Sequence, residues 1–362
     1  MRITRWLPSE VLTEIIHNAP RADQATLCRV SKLFHALALP NLNRRVVIRP
    51  GKLSLQALEA FPLSMIRNPA RADSVRSLTF LENGSLNHDS LHAQALLIEC
   101  LKLMRKLEHF CIRDFRPLGV GSYLADLDFP NLWSCTLECH AESWELNIAR
   151  FLTRHPTITH FRLYMWIGIH GRHDPLPQGT LLPRLQYYHG PLHLLCGFSK
   201  HSLVAVQTSW TGHTPSLIPE LGAQTGPNLA SLSIDYIRMA QISDVIIFLS
   251  KHMWQLQKLQ LRCWQWMLGI ASDINACLPR FKHLTYLAFS TSDESDDAVG
   301  NWDNERRAFE MWTNTSSSLR GCGIGQTACR KVDQKWEDCS KEAFYSEAGF
   351  AVFDSLLTID DD

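Results

Sequence analysis

Two periodicities divide the chain. From Leu7 to Leu37 apolar residues recur at three- and four-residue intervals: Leu7, Val11, Leu12, Ile15 and Ile16, then Leu27, Val30 and Phe34, with Leu33 and Leu37 close to the same stripe. Such spacing puts each set on one face of a helix. Pro8 suits a first helical turn, where a missing N–H costs nothing, and Asp23 can cap a second helix. Two short amphipathic helices are expected. Beyond Pro50 the period changes to an apolar residue followed at +3 and +5 by two more.

The best copies of this second pattern begin at Leu229 (Leu232, Ile234), Leu256 (Leu259, Leu261) and Leu284 (Leu287, Phe289). Others begin at Val75 (Leu78, Phe80), Leu107 (Phe110, Ile112), Leu132 (Cys135, Leu137) and Ile158 (Phe161, Leu163). Two copies fail at the third place: Leu185 leads to Tyr188 and Gly190, and Leu203 to Val206 and Thr208. Most steps are about 25–28 residues, a period at which stacked repeat units recur. Helix-like returns lie between the copies at 90–107, 144–152, 242–253 and 306–312. A degenerate copy at Leu319, Cys322 and Ile324 precedes a segment, Ala328 to Trp336, expected to cap the open end as a helix. The repeat resembles the leucine-rich repeat over roughly residues 75 to 325. That resemblance implies one strand plus a return per unit, no unit being able to bury its own apolar edge.

The segment from Leu7 to Ile48 is near the size at which a chain seldom buries enough apolar surface to fold alone. Three blocks, Leu7-Pro8-x-Glu10-Val11-Leu12-x-x-Ile15-Ile16, Leu27-Cys28-x-Val30-Ser31-Lys32-x-Phe34 and Leu39-Pro40-x-Leu42-x-Arg44-x-Val46-x-Ile48, resemble the F-box, a module that docks on a Skp-family adaptor. Phe34 and Asn43 stand where that family often has Trp and Tyr. The resemblance implies adaptor contacts through Leu7, Pro8, Val11, Leu12, Ile15, Leu27, Val30 and Phe34. The expected organisation is α/β: an F-box-like helical module at 4–48, a connecting segment at 49–73, a leucine-rich solenoid at 74–325 with parallel strands on its concave face and helices outside, and a helical cap with an acidic tail at 326–362.

Composition adds limits rather than chemistry. Lys plus Arg and Asp plus Glu are both 36, so no global field gathers nucleic acid or acidic lipid. Residues 1–50 nevertheless carry eight Lys/Arg against three Asp/Glu, and residues 291–362 carry seven against sixteen. No apolar run is long enough to span a bilayer, and Pro8, Ser9, Glu10 and Glu14 interrupt any signal-peptide core. A cytoplasmic or nuclear protein with its 11 Cys reduced is expected.

Catalytic and metal patterns read poorly. His88-Asp89-Ser90-Leu91-His92 has Asp where a zinc hydrolase needs Glu, and a base shorter by a methylene falls short of a metal-bound water. Cys135 and Cys139 with His140 are better explained by packing, and His170, His173, His189 and His193 lie in or beside a Pro/Gly-rich insertion at 167–183. Gly321-Cys322-Gly323-Ile324-Gly325 lacks the spacing of a phosphate loop and reads as a turn. No cofactor, metal or catalytic constellation is expected.

The repeat does offer a surface. Strand residues between the apolar positions face the other side of the sheet. These give Arg113 and Phe115; Glu138 and His140; Arg162, Tyr164 and Trp166; Asp235; and Arg262 with Trp264 as target-binding candidates. Aromatic and Arg side chains are the usual anchors of interfaces. Arg113, Arg162 and Arg262 are the first candidates for a phosphate. By resemblance, the chain would be the non-catalytic substrate receptor of a Skp–cullin–F-box ubiquitin ligase. Two other readings stay open. One is a leucine-rich scaffold whose N-terminal helices close their own repeat, burying Leu7, Pro8 and Ile15. The other is an enzyme built on a convergent His and carboxylate cluster.

Overall fold

The computed structural model describes residues 7–49, 55–81, 91–113, 123–139, 145–165, 182–195, 198, 202–209, 214–225, 228–237, 241–263, 268–291, 302–325 and 327–350. Two compact units result, Met1–Leu182 and Pro183–Asp362.

The first unit opens with three helices rather than two: α1 (Ser9–His17), α2 (Arg21–Val30) and α3 (Lys32–Arg44). Pro8 and Pro20 stand at the N-caps of α1 and α2, and Asp23 falls in the first turn of α2 instead of capping it. The continuous stripe from Leu27 to Leu37 is broken at Ser31, whose backbone is extended (φ −158°, ψ 162°). Its hydroxyl accepts the Phe34 N–H at 3.2 Å, so a residue that ends one helix caps the next. The chain then runs directly into β1 (Arg45–Ile48), the first strand of the sheet. The supposed connecting segment contributes α4 (Leu55–Arg67) and α5 (Pro69–Asp73), followed by β2 (Ser77–Leu81), α6 (Leu91–Leu103), β3 (His109–Arg113), β4 (Ser134–Cys139), α7 (Glu145–Arg154) and β5 (His160–Met165). Strands β1 to β5 pair in sequence order, all parallel.

β1 is a repeat copy hidden from the pattern. Val46 and Ile48 align with Leu78 and Phe80. The place three residues before Val46 holds Asn43, which is buried and accepts from Arg71 Nε at 2.9 Å where other copies have an apolar residue. Arg71 also donates to Ser64 Oγ at 3.0 Å, and Arg21 donates to the carbonyls of Leu42 and Arg45. The helical module and the first repeat are therefore one packed body.

The second unit comprises β6 (Tyr187–His189), α8 (Leu192–Leu195), β7 (Ala205–Ser209), α9 (Thr214–Thr225), β8 (Ser231–Ile237), α10 (Ile242–His252), β9 (Lys258–Cys263), α11 (Leu268–Cys277), β10 (Tyr286–Thr291), α12 (Trp302–Thr315) and β11 (Gly321–Ile324). Strands β6 to β11 pair in order and parallel. Residues 328–336, expected as a helix, instead belong to a hairpin of β12 (Thr327–Val332) and β13 (Lys335–Cys339) that extends the sheet antiparallel. Asp333 and Gln334 both have positive φ at its turn, the geometry that a two-residue hairpin requires. Gly321 to Ile324 is strand and only Gly325 turns, at φ +57°. Helix α13 (Lys341–Ala348) follows.

In all ten copies read from the sequence, the strand begins two residues after the leading apolar residue. The apolar residues at the leading, +3 and +5 places are at most 6 % exposed, including Leu185 and Leu203 of the defective copies. Backbone bonds carry the register across each unit: Arg76 N donates to Arg44 O, Glu108 N to Arg76 O and Trp133 N to Glu108 O, and in the second unit Ala230 N to Val204 O and Gln257 N to Ala230 O. Thr208, the odd third residue of its copy, is accommodated at 1 % exposure.

Candidate functional site

Two surfaces come forward, one on the N-terminal helices and one on the side of the strands opposite the repeat core. On α1 the apolar residues split into two faces. Leu12 and Ile16, one turn apart, are 6 % and 1 % exposed and face inward, where α1 packs on α3. Leu7, Val11 and Ile15, also one turn apart, remain exposed at 38, 42 and 54 %. Pro8 is exposed as well. On the next two helices Val30 and Leu33 are exposed at 63 and 43 %, while Leu27 and Phe34 are half-buried.

The residues expected to hold an adaptor thus divide. Leu7, Pro8, Val11, Ile15 and Val30 are on the surface, Leu27 and Phe34 lie at its margin, and Leu12 belongs to the helical core. The physical reason is the i, i+4 offset: a residue next to an outward one points about 100° away round the helix. Leu33 joins the exposed set. It lies just past the break at Ser31, in the first turn of α3. Large apolar side chains exposed singly are ordinary, but Leu7, Val11 and Ile15 follow one another at helical spacing and make one exposed apolar face on α1, of the kind that marks an interface; Val30 and Leu33 are exposed at the α2–α3 break.

On the strand side, the candidates Phe115, His140, Trp166 and Trp264 lie outside the described residues, as do His88, His170 and His173. The remaining candidates contact one another or are buried. The Arg113 guanidinium stands 4.8 Å from the Tyr164 ring centroid, two strands away. Asp235 accepts from Gln207 Nε2 at 2.9 Å and pairs with Arg262 Nε at 3.6 Å, so three successive strands are tied by one polar chain. Ser233 donates to Gln260 at 3.2 Å beside it. Arg162 is only 5 % exposed, which removes it as an accessible phosphate anchor in this conformation. Glu138 is half-buried.

At the entry end of the first unit's strands, Trp133 lies edge-on between His109 (4.1 Å) and His160 (5.3 Å). Burial is the main cause that lowers both imidazoles, His160 to about 4 with Arg162 and His109 adding repulsion. Among the described residues no three His, Cys, Asp or Glu side chains come together in a way that could hold a metal, and no helix is long and apolar enough to cross a membrane. His189 and His193 are described and form no such group; His92 is exposed on α6.

The F-box domain family model matches residues 5–42. No curated protein matches the chain. Among solved structures, the leucine-rich repeat-containing protein LegL7 from Legionella pneumophila is similar over 88 % of this chain and 92 % of its own, at 13 % identity and a TM-score of 0.46. The F-box match thus falls on the N-terminal helices, and the residues after it form serial arrays of parallel strands joined by helical returns.

Proposed function

We propose that the chain is the substrate-recognition subunit of a Skp–cullin–F-box ubiquitin ligase. Its F-box holds a Skp-family adaptor and, through it, a cullin–RING ligase. The side of the repeat sheet opposite the core holds a target protein. The observation that carries this reading is the outward face of Leu7, Val11 and Ile15, with Val30 and Leu33 also exposed, within the segment the F-box model matches. Had the helices served to close their own first repeat, α1 would turn these residues inward. Instead Leu12 and Ile16 face inward, where α1 packs on α3, and the second apolar face is exposed.

The subunit needs no catalytic residue of its own. A target lysine held beside a ubiquitin-loaded enzyme reacts as at high local concentration, and positioning of this kind alone accounts for large rate gains. Paired side chains such as Asp235–Arg262 and Arg113–Tyr164 give the sheet a fixed pattern of charge and ring edges, suited to a protein target rather than to nucleic acid or a membrane.

Co-expression with a Skp-family adaptor and size-exclusion chromatography test the proposal. Wild type is expected to elute as a stoichiometric complex, and Leu7→Asp/Ile15→Asp to elute alone with unchanged circular dichroism. Each buried apolar side chain is worth about 1.5–3 kcal/mol, so the double change lowers affinity by about a hundredfold or more. A wild-type chain that runs alone would overturn the ligase reading and leave a leucine-rich interaction scaffold.

A further inference from the structure

The outer side of the sheet in the second unit changes character at its C-terminal end. Gln207, Ser233 and Gln260 occupy the middle register position of β7, β8 and β9; in β10, β11 and β12 the same row continues as Ala288, Gly323 and Ala328. Small residues in adjacent strands make a shallow groove, and α13 lies in it. Phe344, 1 % exposed, packs with Ala348 and Phe350 against Ala288 and Ala328. A Cβ at Gly323 would stand 2.9 Å from the Phe344 ring, and one at Gly321 3.0 Å, so the groove floor is cut to admit that ring. Glu347, one turn on from Phe344, fixes the edge of the same face, accepting from Tyr286 Oη at 3.1 Å and pairing with Arg330 at 3.4 Å.

This helix takes no part in the layer that holds the repeats together. Leu287, Phe289, Cys322 and Ile324 point to the opposite side of the same strands and are buried there by the repeat core. With eight residues α13 is too short to be stable in isolation, so its helical state depends on the groove. One central aromatic residue seated on a tailored floor, flanked by exposed polar contacts, is how a bound helix is held at an interface. Tyr345 extends the contact along the face, toward Ser290 and Gln260 beside Arg262, a residue among the target-binding candidates.

We propose that α13 is a ligand carried by the chain for its own target-binding face: the groove of Ala288, Gly321, Gly323 and Ala328 takes a short helix presenting two adjacent aromatic residues and a carboxylate, and α13 competes there with a target helix of that chemistry. This rests on the polar side of the sheet being the target surface and is independent of the adaptor.

The test uses the full chain carrying Phe344→Ala/Tyr345→Ala, and as probe a fluorescent peptide of residues 338–350. Anisotropy is expected to show the variant binding the peptide while wild type, its groove already filled, binds about tenfold or more weakly. A peptide with Phe344→Ala should bind neither. The proposal is overturned if the folded variant takes up no peptide, or if wild type binds it equally well. Failure of the variant to fold also overturns it, because α13 would then be part of the repeat core. Neither adaptor nor target enters this assay, so its failure leaves the co-expression result to stand or fall separately.

Discussion

His155 shows how one residue can hold two repeats together. Its Nε2 accepts the Phe129 N–H at 2.8 Å, which leaves Nδ1 to donate to the Phe151 carbonyl at 2.6 Å, and its ring lies 4.2 Å from that of Phe151. A second proton on Nε2 would meet an N–H instead of a lone pair. Burial, the largest cause, accordingly lowers its pKa, as it does for His109 and His160. The unfolded chain therefore binds these protons more readily than the folded one. The stability that these three contribute is complete above the ordinary histidine value and falls as pH drops below it, for His160 toward about 4. Urea midpoints should fall between pH 7.5 and pH 5, and less so in His155→Leu. That variant itself should lose about 1–3 kcal/mol at pH 7.5, because the Phe129 N–H is left buried without an acceptor. At the other end of the chain, Gly323→Ala drives a methyl into Phe344 and should lower the unfolding free energy by about 1–3 kcal/mol, seen as a lower urea midpoint.

Helix α1 makes a sharper prediction at the scale of an element, because its two apolar faces have different jobs. Leu12→Ala or Ile16→Ala empties the helical core and should cost about 2–5 kcal/mol. Val11→Ala and Ile15→Ala should stay within about 0.5 kcal/mol in the free chain and weaken only adaptor binding. Denaturation of the four variants, alone and with adaptor, separates the two faces; equal losses at Ile15 and Ile16 in the free chain would contradict the outward assignment. Ser31→Ala should cost about 1 kcal/mol by removing the α3 cap. Among the strands, Arg262→Glu would face Asp235 with a like charge, so a loss of target capture in that variant reports on the sheet as well as on the target. Arg262→Gln is the cleaner probe.

For the whole molecule, adaptor binding is a stabilising equilibrium. At a hundredfold excess over Kd it should add about 2.7 kcal/mol to the wild-type unit that binds it, raising its thermal midpoint, and add nothing to Leu7→Asp/Ile15→Asp. The architecture in which this occurs was largely legible from spacing. A leading apolar residue with partners at +3 and +5 is a constraint on one strand and one buried side, and it survived a Gly or Thr at the third place because neighbouring strands supply the missing register. Four of the return helices were legible for the same reason. The hairpin after Gly325 was not, since its strands lack the repeat period and the second of them, Lys335–Cys339, has no buried residue.

The sequence by itself determined the period and the buried side of the strands in the ten repeat copies, because each follows from the local geometry of a strand's alternation. It also located the F-box segment. Tertiary structure alone decided which apolar residues of that segment are left for a partner, for the choice depends on where α3 lies. It likewise decided that Asn43 completes a hidden first repeat, that candidate residues such as Asp235 and Arg262 are already one another's partners, and that α13 fills the outer groove. Each of these joins residues distant from one another along the chain, and only their packing gives them a common surface.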